Sequence, residues 1–359
     1  MSFKRDLFAS TYQNVFKPIA FSQDAEMVHD RITSLGERLE NQRALLEFLF
    51  AYKNPKLEKE VLGIKFANPI GLAAGFDYDG NMAKVLKHVG FGFNTVGTVT
   101  ASAYEGNKKP RLARLPKSMS LLVNKGFKSE GAKKVAQRLD RKKLQAHTVG
   151  VSIGATNIPE VDTIYKAIDD ILKSFEIFKK KKYIKYLELN ISCPNTLIPE
   201  SFRDPKNFNK LTLAIKKLKV PQPIFVKMPN EIALKDSDAL VRVALKNGIN
   251  GFIFSNLVKD RNNKAIRRDE LKKVENLKGN FSGRPTTKNA LSLIKHTRKT
   301  FGKDVAIIGC GGTFNVKDVK DKFDAGADLV QLITGIVFQG PQLIGQICEE
   351  LVGSDNSGN

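Results

Sequence analysis

Residues 186–196 read YLELNISCPNT. The run from Tyr186 to Ile191 is short, largely apolar and rich in strand formers, as in a strand buried on both faces. It then stops abruptly in polar side chains, a thiol and a proline. Seven other stretches share this character: NPIGLAA (68–74), FNTVGTVT (93–100), TVGVSI (148–153), PIFVKM (223–228), GFIFSN (251–256), VAIIG (305–309) and LVQLIT (329–334). Helical segments lie between them. Strands apolar on both faces and alternating with helices belong to a parallel sheet, either closed into a barrel or doubly wound. Eight such runs favour the α/β class with a (β/α)₈ TIM barrel. The doubly wound sheet stays as the alternative, although no G-x-G-x-x-G follows the first strand.

The residues before the first barrel strand follow another pattern. Leu7, Phe8, Tyr12, Val15, Phe16 and Ile19 share one face at helical spacing, and a second helix is expected near Ser22 with Asp24 and Glu26 in its first turn. This predicts a helical extension over 1–50, a barrel over 51–352 and a disordered tail at 353–359. The extension either plugs the barrel bottom or, with Lys4, Arg5 and Lys17 beside its apolar face, rests on a membrane surface.

The chain has 359 residues, 42% of them hydrophobic, enough for a large core, and a formal net charge of +22. Such a charge suits nucleic acid or an anionic surface, but the lysines are scattered, which favours a solvated lysine-rich exterior. The densest run, FKKKKYIKY (178–186), reads as the solvated end of a helix. Cys193, Cys310 and Cys348 fit neither a disulfide framework nor a zinc site, and a reducing compartment is expected. No apolar stretch is long enough to span a membrane, and no signal peptide is evident.

In a barrel of this kind the chemistry sits at the C-terminal ends of the strands. Glycine-rich GCGGTF (309–314) follows the seventh run and TGIVFQGP (334–341) follows the eighth. Open backbone leading into a helix start offers free N–H groups to a phosphate, and these two loops are its usual place in the fold. Lys227, ending an apolar strand, needs a partner, which a ring that becomes negative on reduction would supply; otherwise it snorkels out of the strand end. Asn190 and Asn195 bracket Cys193 and suit a planar hydrogen-bonding ring. Pro194 stiffens the turn that presents the thiol. A thiol is a reasonable proton acceptor near neutrality, so Cys193 is a candidate base; the alternative is a small buried hydrophobe. Cys310 and Cys348 read as packing residues.

Taken in order, FSQDAEMVHD (21–30), NPIGLAAGFDYDG (68–80), GFGFNTVGTVT (90–100), EGNKKPRLARLP (105–116), NISCPNT (190–196), FSGRP (281–285), IIGCGG (307–312) and TGIVFQGP (334–341) resemble dihydroorotate dehydrogenase, specifically its membrane-associated, quinone-reducing class. The resemblance covers nearly the whole chain. It implies a barrel that binds FMN and oxidises dihydroorotate to orotate in pyrimidine biosynthesis, a substrate proton passing to a side-chain base and a hydride to the flavin. It further implies electrons passed to quinone, a peripheral position on the cytoplasmic side of the cell membrane with contact through the N-terminal helices, and no nucleic-acid partner or metal. Carried over by position, Ala74, Gly75, Thr98, Ser152, Asn190, Lys227, Ser255, Gly283, Gly312, Ile333, Thr334 and Gly335 form the FMN shell. Tyr78, Asn124, Phe127, Asn190, Asn195, Asn256 and Leu257 form the pyrimidine shell, with Cys193 as base.

The departures concentrate in the pyrimidine shell. Cysteine at 193 is typical of the soluble classes, where the quinone class usually has serine. GFDYDG (75–80) carries Tyr78 in place of a lysine expected on the substrate, a lost cation whose role would fall to Lys125, Lys128 or the neighbouring arginines, and LVNKGF (122–127) puts Val123 at an asparagine position, moving the amide to Asn124. Ser152 replaces an FMN-shell asparagine and Leu257 a threonine. Two other activities therefore stay open: an FMN enzyme for another reduced pyrimidine, of the tRNA dihydrouridine synthase kind, and a non-catalytic flavin-binding protein.

Overall fold

The computed structural model describes residues 3–192 and 201–355. Eight parallel strands close into a barrel in chain order, Ile70–Leu72, Phe93–Val99, Val149–Ile153, Ile184–Asn190, Ile224–Lys227, Gly251–Phe254, Ala306–Cys310 and Leu329–Leu332. Val330 registers with Ile70, which seals the first strand to the eighth. Closure removes both edges of the sheet and with them the doubly wound alternative.

The barrel floor is aromatic. Phe66, Phe93, Tyr186 and Phe225 pack at ring separations of 5.0 to 6.5 Å. Gly71 leaves room for the Phe93 ring and Gly150 for that of Tyr186, because a Cβ at either would overlap the ring. Ile64 and Phe66 reach this cluster from an antiparallel hairpin, Lys59–Val61 with Ile64–Phe66. The hairpin thus fills the floor, which corrects the reading of the helical extension as the plug.

The extension instead packs beside the last barrel helices. Its helices are Phe3–Thr11, Lys17–Phe21, Ala25–Arg38 and Arg43–Phe50, with a π turn at Tyr12–Phe16. Asp24 caps the third, accepting from the Met27 N–H at 2.8 Å. The apolar face of residues 7–19 divides. Phe8 meets Phe50 edge-on at 4.8 Å and Tyr12 donates to the Val337 carbonyl at 2.8 Å. Leu7, Val15, Phe16 and Ile19 are left exposed. Buried Arg5 pairs with Glu349 at 2.8 Å, tying the first helix to the last.

That last helix, Leu343–Asp355, continues past residue 352, where the barrel was expected to end and a disordered tail to begin. It carries Cys348, fully buried, with its thiol pushed up to about 12 by burial, a packing residue as expected. Within the lysine run, Lys179 pairs with Glu176 and Lys181 with Asp140, so this part of the run is an ion-paired helix end. A small antiparallel sheet, Leu112–Leu115, Ser120–Val123 and Asn280–Phe281, joins the second and sixth strand-to-helix excursions.

Candidate active site

The polar ends of strands two to six form one hydrogen-bonded network. The Asn190 amide donates to Thr98 Oγ1 at 3.0 Å, and Thr98 Oγ1 lies 3.0 Å from Ser152 Oγ. Asn256 donates to Asn190 Oδ1 at 3.4 Å and to Ser192 Oγ at 2.9 Å, while Ser192 Oγ donates to the Lys227 carbonyl at 2.7 Å. The strand twist gathers these five side chains, and each leaves polar atoms for a ligand. Residues 193–200 lie outside the described residues, and with them the expected base Cys193 and pyrimidine contact Asn195. Ser192 itself is held by Asn256 and the Lys227 carbonyl.

Beneath the network, Lys227 points its ammonium at Cys310 Sγ, 3.2 Å away. Cys310, expected as mere packing, is therefore a partner of the site lysine. Fully buried Glu188 lies below, accepting from Thr95 Oγ1 at 2.6 Å and from the Gln331 amide at 2.8 Å. Burial pushes the Glu188 carboxyl up, against the pull of the Lys227 charge. Lys227 is thus buried beside polar partners, which excludes the snorkelling alternative.

The loops after strands seven and eight meet the turn at 282–286. Gly312, at φ +61°, approaches Thr287 so closely that a Cβ would collide with Thr287 Oγ1, and a Cβ on Gly335 would collide with the Thr313 carbonyl. Gly283, at φ +77°, lies against the Met119 carbonyl, and Ser282 Oγ bonds Thr334 Oγ1 at 2.8 Å. Thr287 Oγ1 and Thr313 Oγ1 are buried without a hydrogen-bond partner. Two orphaned hydroxyls beside glycine backbone, that of Thr287 opening helix Thr287–Phe301 and that of Thr313 in the loop after strand seven, fit a phosphate group. Ser255 closes the gap to the network: Asn230 donates to its hydroxyl at 2.6 Å, and its own N–H donates to the Cys310 carbonyl at 2.8 Å. Gly75 donates to the Gly97 carbonyl at 2.8 Å, and Ala74 beside it is half-buried. Ile333 Cδ1 comes within 3.4 Å of the Cβ position at Gly75. The residues expected around the flavin therefore surround one barrel mouth.

The pyrimidine-side residues line the adjoining wall. Phe127, at φ +66°, lays its ring against Gly154, next to the Thr98 methyl. Leu257 donates its N–H to Asn256 Oδ1 at 2.9 Å. Asn124 accepts from the Asn107 amide at 2.9 Å, and Asn107 Oδ1 accepts from Asn157 and from the Tyr104 hydroxyl. Tyr78 packs 5.3 Å from the His29 ring. Behind this wall lies a buried ion cluster whose pairing the sequence did not reveal: Glu26 accepts from Arg111 Nε at 2.8 and 3.0 Å and from Lys125 Nζ at 2.6 Å. Its members lie 85 and 99 residues from Glu26, with no periodic signal to link them. Asn230, Thr287 and Thr313 were likewise missed, being single polar residues in loops and helix starts.

A model of dihydroorotate dehydrogenase matches residues 56–354. The chain belongs to the dihydroorotate dehydrogenase family. Among its relatives are the quinone-type dihydroorotate dehydrogenases of Synechococcus sp. (strain JA-3-3Ab), 32% identical with 96% of this chain and 93% of the relative covered, and of Christiangramia forsetii, 32% identical over 95% and 98%. Dihydroorotate dehydrogenase from Eimeria tenella has the same fold in complex with ferulenol (TM-score 0.80, 26% identity, 92% of both chains) and ligand-free (TM-score 0.81, 26% identity, 93% and 96%). The family is flavin-dependent. These matches reach into the helical extension. Among the described residues, no helix is long and apolar enough to cross a membrane, and no His, Cys, Asp and Glu group could hold a metal.

Proposed function

We propose that this chain oxidises dihydroorotate to orotate on bound FMN and passes the electrons to a quinone. The observation that carries the reading is the convergence, at one barrel mouth, of a glycine cradle with orphaned Thr287 and Thr313 hydroxyls, the Asn190–Thr98–Ser152 network and buried Lys227. FMN, when bound, supplies the acceptor for the substrate's hydride. Gly283, Gly312, Thr313, Thr334 and Gly335 hold its phosphate. Ala74, Gly75, Thr98, Ser152, Asn190, Ser255 and Ile333 border its ring system, and the Lys227 charge favours the negative charge that reduction brings.

Asn190, Asn195 and Asn256 hold the amide edges of the substrate ring, with Tyr78, Asn124, Phe127 and Leu257 around it. One carbon of the saturated bond loses a hydride and its neighbour loses a proton, leaving the double bond of orotate. Cys193 Sγ takes that proton. Ser192, pinned to strand five and to Asn256, anchors the segment that leads to the thiol.

On this reading residues 1–50 serve contact with membrane and quinone, and 51–352 the FMN barrel. Leu7 and Ile19, each 57% exposed, and Phe16, 53% exposed, form with Val15 an apolar face that none of the described residues covers. Beside Lys4 and Lys17 such a face suits peripheral attachment, and we place it on the cytoplasmic side of the cell membrane. Anaerobic addition of dihydroorotate to the yellow holoenzyme tests the reading: the flavin bleaches and a quinone restores its colour. Bleaching only by another reduced pyrimidine would transfer the activity to that substrate, and none at all would leave a flavin-binding protein.

A further inference from the structure

Tyr78 stands where the family resemblance places a lysine on the substrate, so the pocket lacks one cation. The structure puts another beside it. Lys125 Nζ lies 5.3 Å from the centre of the Tyr78 ring, on the segment that also carries Asn124 and Phe127. Lys125 is only 4% exposed.

The cluster around it carries an excess positive charge. Arg111 and Lys125 are two cations sharing one buried anion, Glu26, for a sum of +1. Arg111 is nearly saturated: Nε and Nη2 face Glu26, and Nη1 donates to the carbonyls of Glu105 and Asn107. Lys125 is not. An ammonium has three N–H donors, and among the described residues one of them finds an acceptor, Glu26 Oε1 at 2.6 Å. A buried cation with donors to spare calls for an anion.

We propose that Lys125 receives the carboxylate of dihydroorotate in place of the lysine missing at position 78, with Glu26 as the positioning residue that holds it there. This rests on the functional reading above. Tyr78 presents a π face to the ammonium and keeps it at the pocket wall. Because Glu26 belongs to helix Ala25–Arg38, the N-terminal extension then takes part in substrate recognition as well as in acceptor contact.

The test uses flavin-loaded full-length protein, with orotate affinity read from the flavin absorbance change and dihydroorotate kinetics from anaerobic stopped flow. Lys125→Met is expected to weaken orotate binding roughly 30-fold or more and to raise the KM for dihydroorotate equally. The flavin reduction rate at saturation should stay within about threefold, a split that general loosening of the fold would not produce. Lys125→Arg should keep most of the affinity, and adding Tyr78→Lys to Lys125→Met should restore it. Lys128→Met, which removes a partly buried cation of the same segment, should change little.

Wild-type orotate affinity in Lys125→Met, or an equal loss in Lys128→Met, would overturn the proposal. Should Lys125→Met fail to load flavin, the paired Glu26→Gln, Lys125→Gln variant removes both charges together; unchanged orotate affinity in it would overturn the proposal, and the same 30-fold loss would support it. Failure of the functional reading shows separately, as absence of bleaching in the wild-type protein.

Discussion

The ammonium of Lys227 stands 3.2 Å from the thiol of Cys310, the two reaching across the intervening sixth strand of the barrel. Sulfur is a weak acceptor, and burial pushes the nearby Glu188 carboxyl up. Lys227 therefore has donors left for a ligand above it. Lys227→Met should slow flavin reduction about 100-fold, the order of one lost electrostatic stabiliser. Stopped-flow bleaching by dihydroorotate measures this; a rate within a fewfold of wild type would remove Lys227 from the chemistry.

Gly312→Val should empty the cradle. The backbone there sits at φ +61°, and a Cβ would collide with Thr287 Oγ1. The ratio of flavin to protein absorbance after purification should fall severalfold. The circular dichroism of the barrel should persist.

Cys193→Ala should slow flavin reduction by roughly 10²- to 10⁴-fold without loss of FMN, if the thiol is the positioned base. A base works in its deprotonated form, so the wild-type rate should rise with pH toward the thiol pKa, ordinarily about 8.5. Cys193→Ser should retain part of the activity and move that rise to higher pH. Equal rates in wild type and Cys193→Ala would exclude the thiol.

Phe16→Glu with Ile19→Glu should abolish sedimentation with anionic vesicles and slow turnover with long-chain quinone. Both residues are more than half exposed, so the fold and bleaching by dihydroorotate should be unaffected. Binding equal to wild type would leave the apolar face without this role.

Glu26 sets an acid limit on stability. Burial alone would raise its pKa, but hydrogen bonds and charge from Arg111 and Lys125 overcome this and hold it down to about 2, against an ordinary value of 4.5. The unfolded chain therefore binds the proton first as pH falls. The contribution is complete above about 4.5 and is lost progressively toward 2. Glu26→Gln should lower stability by about 3 kcal/mol at neutral pH, since it leaves two cations without their anion. It should also flatten this part of the Tm profile, as thermal melts across pH will show.

Much of this protein could be read along the chain. Eight apolar runs give eight barrel strands because a parallel strand buried on both faces writes its burial into consecutive residues, as in Val149–Ile153 and Gly251–Phe254. Lys227 and Asn190 end such runs and Gly312 lies in the glycine-rich loop just after one, and the barrel brings these strand ends to one mouth. Tertiary packing alone decided what depends on residues far apart. It turned the first helices to the side of the barrel and gave the floor to Phe66 from a hairpin, since an apolar helical stripe records that a surface is wanted and not which one. It joined Glu26 to Arg111 and Lys125, and Lys227 to Cys310, because a buried charge takes its partner from whatever the fold places within about 3 Å, and no periodicity marks that choice.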